Sequence, residues 1–172
     1  MPGMADWDLP ALANVNILAS GGHPVDPMPF FRSHGHKVKT LFVSDFPPSI
    51  EDVIAACASS LEALFHPIDT SNLFKHAIKY LPNLQLVGFL PRLSWTYFHV
   101  DHFEELFDAY FDPDRKKFPE MKELRFERCE REFRMEEWNK KRIRVWKKQR
   151  ARWHLRGVTL VMPGGRLFPV AD

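Results

Sequence analysis

Apolar residues recur along this chain as pairs of the form apolar-x-x-apolar, and the pairs return at a fixed interval. Val15/Leu18, Val38/Leu41, Leu61/Leu64 and Leu84/Val87 start 23 residues apart. Two further copies, Met121/Leu124 and Leu155/Val158, follow after steps of 37 and 34 residues. A period in the twenties with one short apolar strand per unit marks a stack of repeats, because no single unit can bury its apolar face alone. The pattern predicts strands near residues 15–19, 38–44, 61–66, 84–89, 121–128 and 155–162.

The returns between strands carry helical spacing. Ser49 and Asp52 form an S-x-x-D capping pattern ahead of a helix over Ile50–Ala58, on which Ile50, Val53, Ile54 and Cys57 share one apolar face. A second helix is expected from about Ser71 to Tyr80, with Leu73, Phe74, Ala77, Ile78 and Leu81 in register and Pro82 ending it. A third runs from about His102 to Phe111, capped by Asp101 and Glu104 and buried through Phe103, Leu106, Phe107 and Tyr110. The fifth return, about residues 132–154, reads as one long basic helix. Gly21–Pro29 reads as an irregular return, with His34 and His36 in the loop entering strand two. In repeat four the register stays open between Leu84/Leu86/Phe89 and Leu84/Val87/Phe89.

Strands joined by returns this long must run parallel, since an antiparallel hairpin needs only a few residues. The expected fold is therefore α/β, a leucine-rich-repeat-like solenoid arc over residues 1–172 as a single domain. A parallel sheet lines its concave face and helices its convex face. Side chains alternate across a strand, so those between the core positions face the concave side. That places Thr40, Phe42, Ser44, Ala63, Phe65, Glu123, Arg125 and Glu127 on a candidate partner-binding surface.

Composition supports a packed core: 45% of the 172 residues are hydrophobic, with fifteen Phe and five Trp. The two cysteines, Cys57 and Cys129, lack CxxC spacing and suit a reduced interior. No basic-then-apolar leader and no membrane-length apolar run occurs, so a cytoplasmic or nuclear location is expected. Charge is uneven: residues 1–130 carry a net −6 and residues 131–156 a net +8. Lys140, Lys141, Arg142, Arg144, Lys147, Lys148, Arg150 and Arg152 interleave with Trp146 and Trp153, a pattern suited to nucleic acid or an acidic partner. The competing reading makes Met135, Trp138, Val145/Trp146 and Trp153 a core-facing stripe with the cations solvated opposite.

Candidate chemistry is sparse. His34 and His36 lack further ligands nearby, and the other histidines show no metal spacing. Cys57 falls on the buried face of its helix, where a thiol is a small hydrophobe. No phosphate-binding, nucleophile-elbow or dinucleotide motif occurs, so neither enzymatic activity nor a cofactor is expected.

Several segments resemble a known family. Pro29-Phe-Phe-Arg-Ser-His-Gly-His-Lys-Val-Lys-Thr-Leu41 is similar to a segment common in fungal, mushroom-type F-box proteins with degenerate leucine-rich repeats. Ile54-Ala-Ala-Cys-Ala-Ser-Ser-Leu-Glu-Ala-Leu64, Leu81-Pro-Asn-Leu-Gln-Leu86 and Phe118-Pro-Glu-Met-Lys-Glu-Leu124 resemble its repeat openings. The resemblance covers about residues 9–130 and implies a substrate-holding repeat domain of a ubiquitin ligase. About ten residues precede Leu12, too few for an F-box, so an adaptor of the ligase is not an expected partner.

Overall fold

The computed structural model describes residues 8–18, 26–44, 49–67, 80–90, 107–108, 110, 116–127 and 140–162. Among them six strands form one parallel sheet: β1 (Asn14–Ile17), β2 (Thr40–Val43), β3 (Ala63–Pro67), β4 (Leu86–Leu90), β5 (Glu123–Phe126) and β6 (Thr159–Val161). The strands lie side by side in chain order, with β1 and β6 at the two edges. The described helices are α1 (Met28–His34), α2 (Ile50–Cys57) and α3 (Lys140–His154). The fold is α/β, and every strand pairs only with the units immediately before and after it.

The register aligns Val15, Leu41, Leu64, Val87, Leu124 and Leu160 in one row across the sheet. All but Val15 are buried. This row joins the four apolar positions of α2, Ile50, Val53, Ile54 and Cys57, in a single core, as their spacing predicts. It also settles repeat four: Val87 and Phe89 are fully buried, whereas Leu86 is half-buried on the opposite face.

The outermost repeats are shifted from the sequence template. Val15 pairs with Leu41, so the first unit begins at Leu12 rather than Val15, and Leu18 is left 68% exposed. At the other end Leu160 stands beside Leu124, and Leu155 is 85% exposed. The strand there is confined to Thr159–Val161 because the helix and its closing turn occupy the residues before it. Gly157 has φ 70°, the Val158 amide donates to the Trp153 carbonyl, and the Gly157 amide to that of His154. That pair of bonds is a Schellman turn, which needs a left-handed residue and brings Val158 against Trp153.

Two further corrections concern helix starts. Met28–His34 is a helix rather than part of a loop, followed by a 3-10 turn over Gly35–Lys37. Pro29 lies in its first turn, where a missing N–H is no loss, and the Asp26 carboxylate accepts from the Met28 amide at 3.0 Å. Ser49 does occupy the N-cap of α2, but its side chain makes no capping bond; Glu51 and Asp52 lie in the first turn instead. Residues 71–79 of the expected helix over 71–80, the start of the helix at 102 and residues 132–139 lie outside the described residues; Tyr80 itself is exposed and outside any helix. Phe107 and Tyr110 are buried as expected.

Equivalent positions stitch successive units together. Lys37, Ser60 and Asn83 stand 23 residues apart, and each donates to a carbonyl of the preceding unit. Lys37 reaches Leu9 at 3.4 Å and Asn83 reaches Ser59 at 2.7 Å. The Ser60 hydroxyl lies within 3.2 Å of the Gly35, Val38 and Cys57 carbonyls, to one of which its single proton can go at a time. At the strand entrances Lys39 pairs with Glu62 at 2.9 Å and Lys122 donates to Gln85 at 3.0 Å.

Aromatic rings fill the core between sheet and α3. Trp146 lies 5.5 Å from Phe126 and 5.6 Å from Phe107, and Phe126 lies 5.0 Å from Phe89, ring centre to ring centre. Removing a ring of this size from a packed core costs about 3–5 kcal/mol.

Candidate partner-binding face

The second face of the sheet carries two rows of side chains. One runs Asn14, Thr40, Ala63, Leu86, Glu123, Thr159; the other runs Asn16, Phe42, Phe65, Gly88, Arg125, Val161. Thr40, Phe42, Ala63, Leu86, Glu123 and Arg125 are half-buried, and Ser44, past the end of β2, is exposed. Val161 at the far end is covered. The expected site residues thus share one face, because strand alternation and parallel register fix it together.

Aromatic packing organises its centre. Phe42 and Phe65 stack with ring centres 4.3 Å apart and planes 10° from parallel. Phe65 leans over β4 at Gly88, where an added Cβ would stand 2.0 Å from its Cδ1. The glycine leaves the space the ring fills. Phe65 is only 9% exposed, a correction to its reading as a contact residue: it is the pedestal beneath Phe42.

Charge gathers on β5. Arg125 Nε donates to Glu123 Oε1 at 2.5 Å, and its Nη1 reaches Glu127 Oε1 at 3.5 Å. All three alternate onto the same side, Glu127 standing one residue past the end of β5. The hydrogen bond to Glu123, with the charges of both carboxylates, raises Arg125 further above its already basic range. The trio carries a net −1, held in one orientation beside the aromatic pair.

Leu86 belongs to this surface and was not among the expected residues. Its signal was the apolar doublet Leu86-Val87, which periodicity alone cannot resolve.

Elsewhere, Cys57 and His66 are core residues. The Cys57 thiol is fully buried and pushed up to about 12 by that burial. His66 is buried too: its Nδ1 lies 2.7 Å from the Pro67 carbonyl and its Nε2 2.5 Å from the Tyr110 hydroxyl. Nδ1–H therefore donates to Pro67, and Nε2 accepts the Tyr110 proton. His34 is buried and His36 exposed. Among the described residues no group of three or more His, Cys, Asp or Glu could hold a metal ion. Cys129 lies outside the described residues.

On α3 the structure separates the two ingredients of the basic segment. Trp146 and Trp153 are 2% and 3% exposed, with Gln149 buried between them. Lys140, Lys141, Arg144, Lys147 and Lys148 are exposed; Arg150 and Arg152 are half-buried. Arg152 pairs with Asp108. The indoles are core residues, which removes base stacking as a role for them. Val145 is half-buried; Met135, Trp138 and the Arg142 side chain lie outside the described residues.

No described helix is long and apolar enough to cross a membrane. No protein-family model, curated protein or solved structure matches the chain.

Proposed function

We propose that the chain is a non-catalytic protein-interaction module, a leucine-rich-repeat-like solenoid arc whose second sheet face is concave and holds a protein partner. The observation that carries this reading is the preorganised centre of that face: Phe42 held on Phe65, beside Leu86 and the Glu123–Arg125–Glu127 trio. A half-exposed aromatic on a rigid pedestal is the kind of residue that dominates interface energetics. The trio's net negative charge favours a partner with an apolar side chain for Phe42 and Leu86 and a cation for Glu127. Supporting it further are the 23-residue steps between β2, β3 and β4 and the stitches repeated at the same interval. The resemblance to F-box repeat proteins adds a setting, in which the held protein is a ubiquitin-ligase substrate.

The test places a photo-cross-linking residue at Thr40 and exposes the chain to extract of the cells that make it. One discrete adduct is expected. It disappears with Phe42→Ser or Glu127→Arg and persists with Glu51→Lys on the outside of α2. An adduct unaffected by both face substitutions, in proteins of unchanged circular dichroism, overturns the reading.

A further inference from the structure

We infer that the outward face of α3 is a docking surface for the phosphate backbone of duplex nucleic acid, separate from the sheet face. The helix Lys140–His154 holds eight Lys/Arg and no Asp or Glu. Lys140, Arg144, Lys147 and Lys148 are exposed and fall at i, i+4, i+7 and i+8, one stripe about 12 Å long at 1.5 Å per residue. Lys141 is exposed beside it.

The opposite side is fixed. Trp146, Gln149 and Trp153 are buried, and the Gly157 turn locks the end of the helix onto β6. The cations therefore sit on a rigid rod rather than a loose tail, which reduces the entropy lost when they meet a ligand. Some of them already take part in local interactions, as Arg152 does with Asp108. An exposed pair such as Arg152–Asp108 contributes little. The inference rests on the cation count and spacing of the helix itself, not on unpaired side chains.

The same geometry selects among polyanions. Single strands are gripped by aromatic platforms, and both described indoles of this helix are in the core. A membrane surface needs the apolar side of an amphipathic helix, and that side is spent on the sheet. An acidic protein is held by apolar anchors at the centre of its interface, and the stripe offers none. Duplex nucleic acid asks only for a straight row of cations, since it presents one charge per about 1.7 Å of axis. Four cations in contact with phosphate predict a salt slope near −0.9 for each, about −3.6 in all. Affinity then falls on the order of 100-fold between 50 and 200 mM salt.

Fluorescence anisotropy of the full chain with a labelled DNA duplex of about 20 base pairs tests this. The same-sequence single strand, a polyglutamate peptide and phosphatidylserine vesicles are the comparisons. Expected are a preference for the duplex and a slope between about −3 and −4. At least a 30-fold loss is expected with Lys140, Arg144, Lys147 and Lys148 all changed to Gln, at an unchanged unfolding temperature. Changing the three lysines to Arg should retain binding, and Phe42→Ser should leave it untouched, so that failure of the sheet-face reading is seen separately. Any one of three results overturns the inference: no duplex binding at 50 mM salt, a preference for one of the comparison polyanions, or equal binding by the folded quadruple Gln variant.

Discussion

The ring of Phe65 occupies the space above Gly88 on the neighbouring strand, so that a Cβ there would stand 2.0 Å from Cδ1 and 2.3 Å from Cε1. Phe42 blocks the ring from the other side at a centroid distance of 4.3 Å. Gly88→Ala must therefore displace the stack, at about 1–3 kcal/mol. Urea unfolding should show that loss, and should show it much reduced in a Phe65→Ala background. Strictly additive effects of the two substitutions would refute the steric link.

Tyr110 and His66 form a buried donor–acceptor pair. Tyr110→Phe removes that hydrogen bond from a 1% exposed imidazole, a loss of about 1 kcal/mol. Burial also raises the Tyr110 phenol well above its ordinary 10.0. The unfolded chain then ionises near pH 10 while the folded one keeps its proton, so stability falls as pH rises past that point. Comparing unfolding free energies at pH 8 and pH 10.5 should show a smaller alkaline loss in Tyr110→Phe than in the parent.

Cys57 follows the same sign at lower pH. Its folded value is raised from 9.0 to about 12, so its contribution is complete below pH 9 and is lost between 9 and 12. In a Cys129→Ser background at pH 8, iodoacetamide should label Cys57 only at the global unfolding rate. Fast labelling under native conditions would contradict its burial.

The Schellman turn gives a backbone prediction. Gly157→Ala forces a Cβ into φ 70° and should lower stability by about 1 kcal/mol, with Gly157→Asn costing less. Equal stability of the Ala variant in thermal melts would show that the turn can relax.

Ser49→Ala is expected to be nearly silent, within about 0.3 kcal/mol. A bonded N-cap serine is worth about 1 kcal/mol, but the Ser49 side chain makes no capping bond. A loss near 1 kcal/mol in chemical denaturation would mean the capping pattern operates after all.

The strand positions, their parallel order and the buried face of α2 were legible because each rests on spacing alone. Val38/Leu41, Leu61/Leu64 and Leu84/Val87 repeat so regularly that the core row follows from counting. The end units misled for a physical reason. Leu18 and Leu155 satisfy the template, yet nothing in spacing distinguishes a core leucine from one stranded beyond β1 or on the turn after α3. Met28–His34 was hidden because Pro29 reads as a loop signal unless it falls in a first turn. That Thr40, Phe42, Ala63, Phe65, Glu123 and Arg125 share one sheet face was readable from strand alternation, whereas Leu86 was not. The organisation of that face was not readable either, since the pedestal role of Phe65 depends on Gly88, one strand and 23 residues away.

Burial of the core row is uneven across the sheet: Leu41, Leu64, Val87 and Leu124 are fully covered while Val15 and Ile17 are only half-covered. Each strand exchanges hydrogen bonds solely with its sequence neighbours, so opening one end need not disturb the other. Amide exchange should therefore sweep through the molecule as a front, with the β1–β2 bonds surrendering deuterium protection first and those of β3–β4 last. A molecule that frays from one edge inward releases its N-terminal unit while the phenylalanines stacked across the next two strands stay in place.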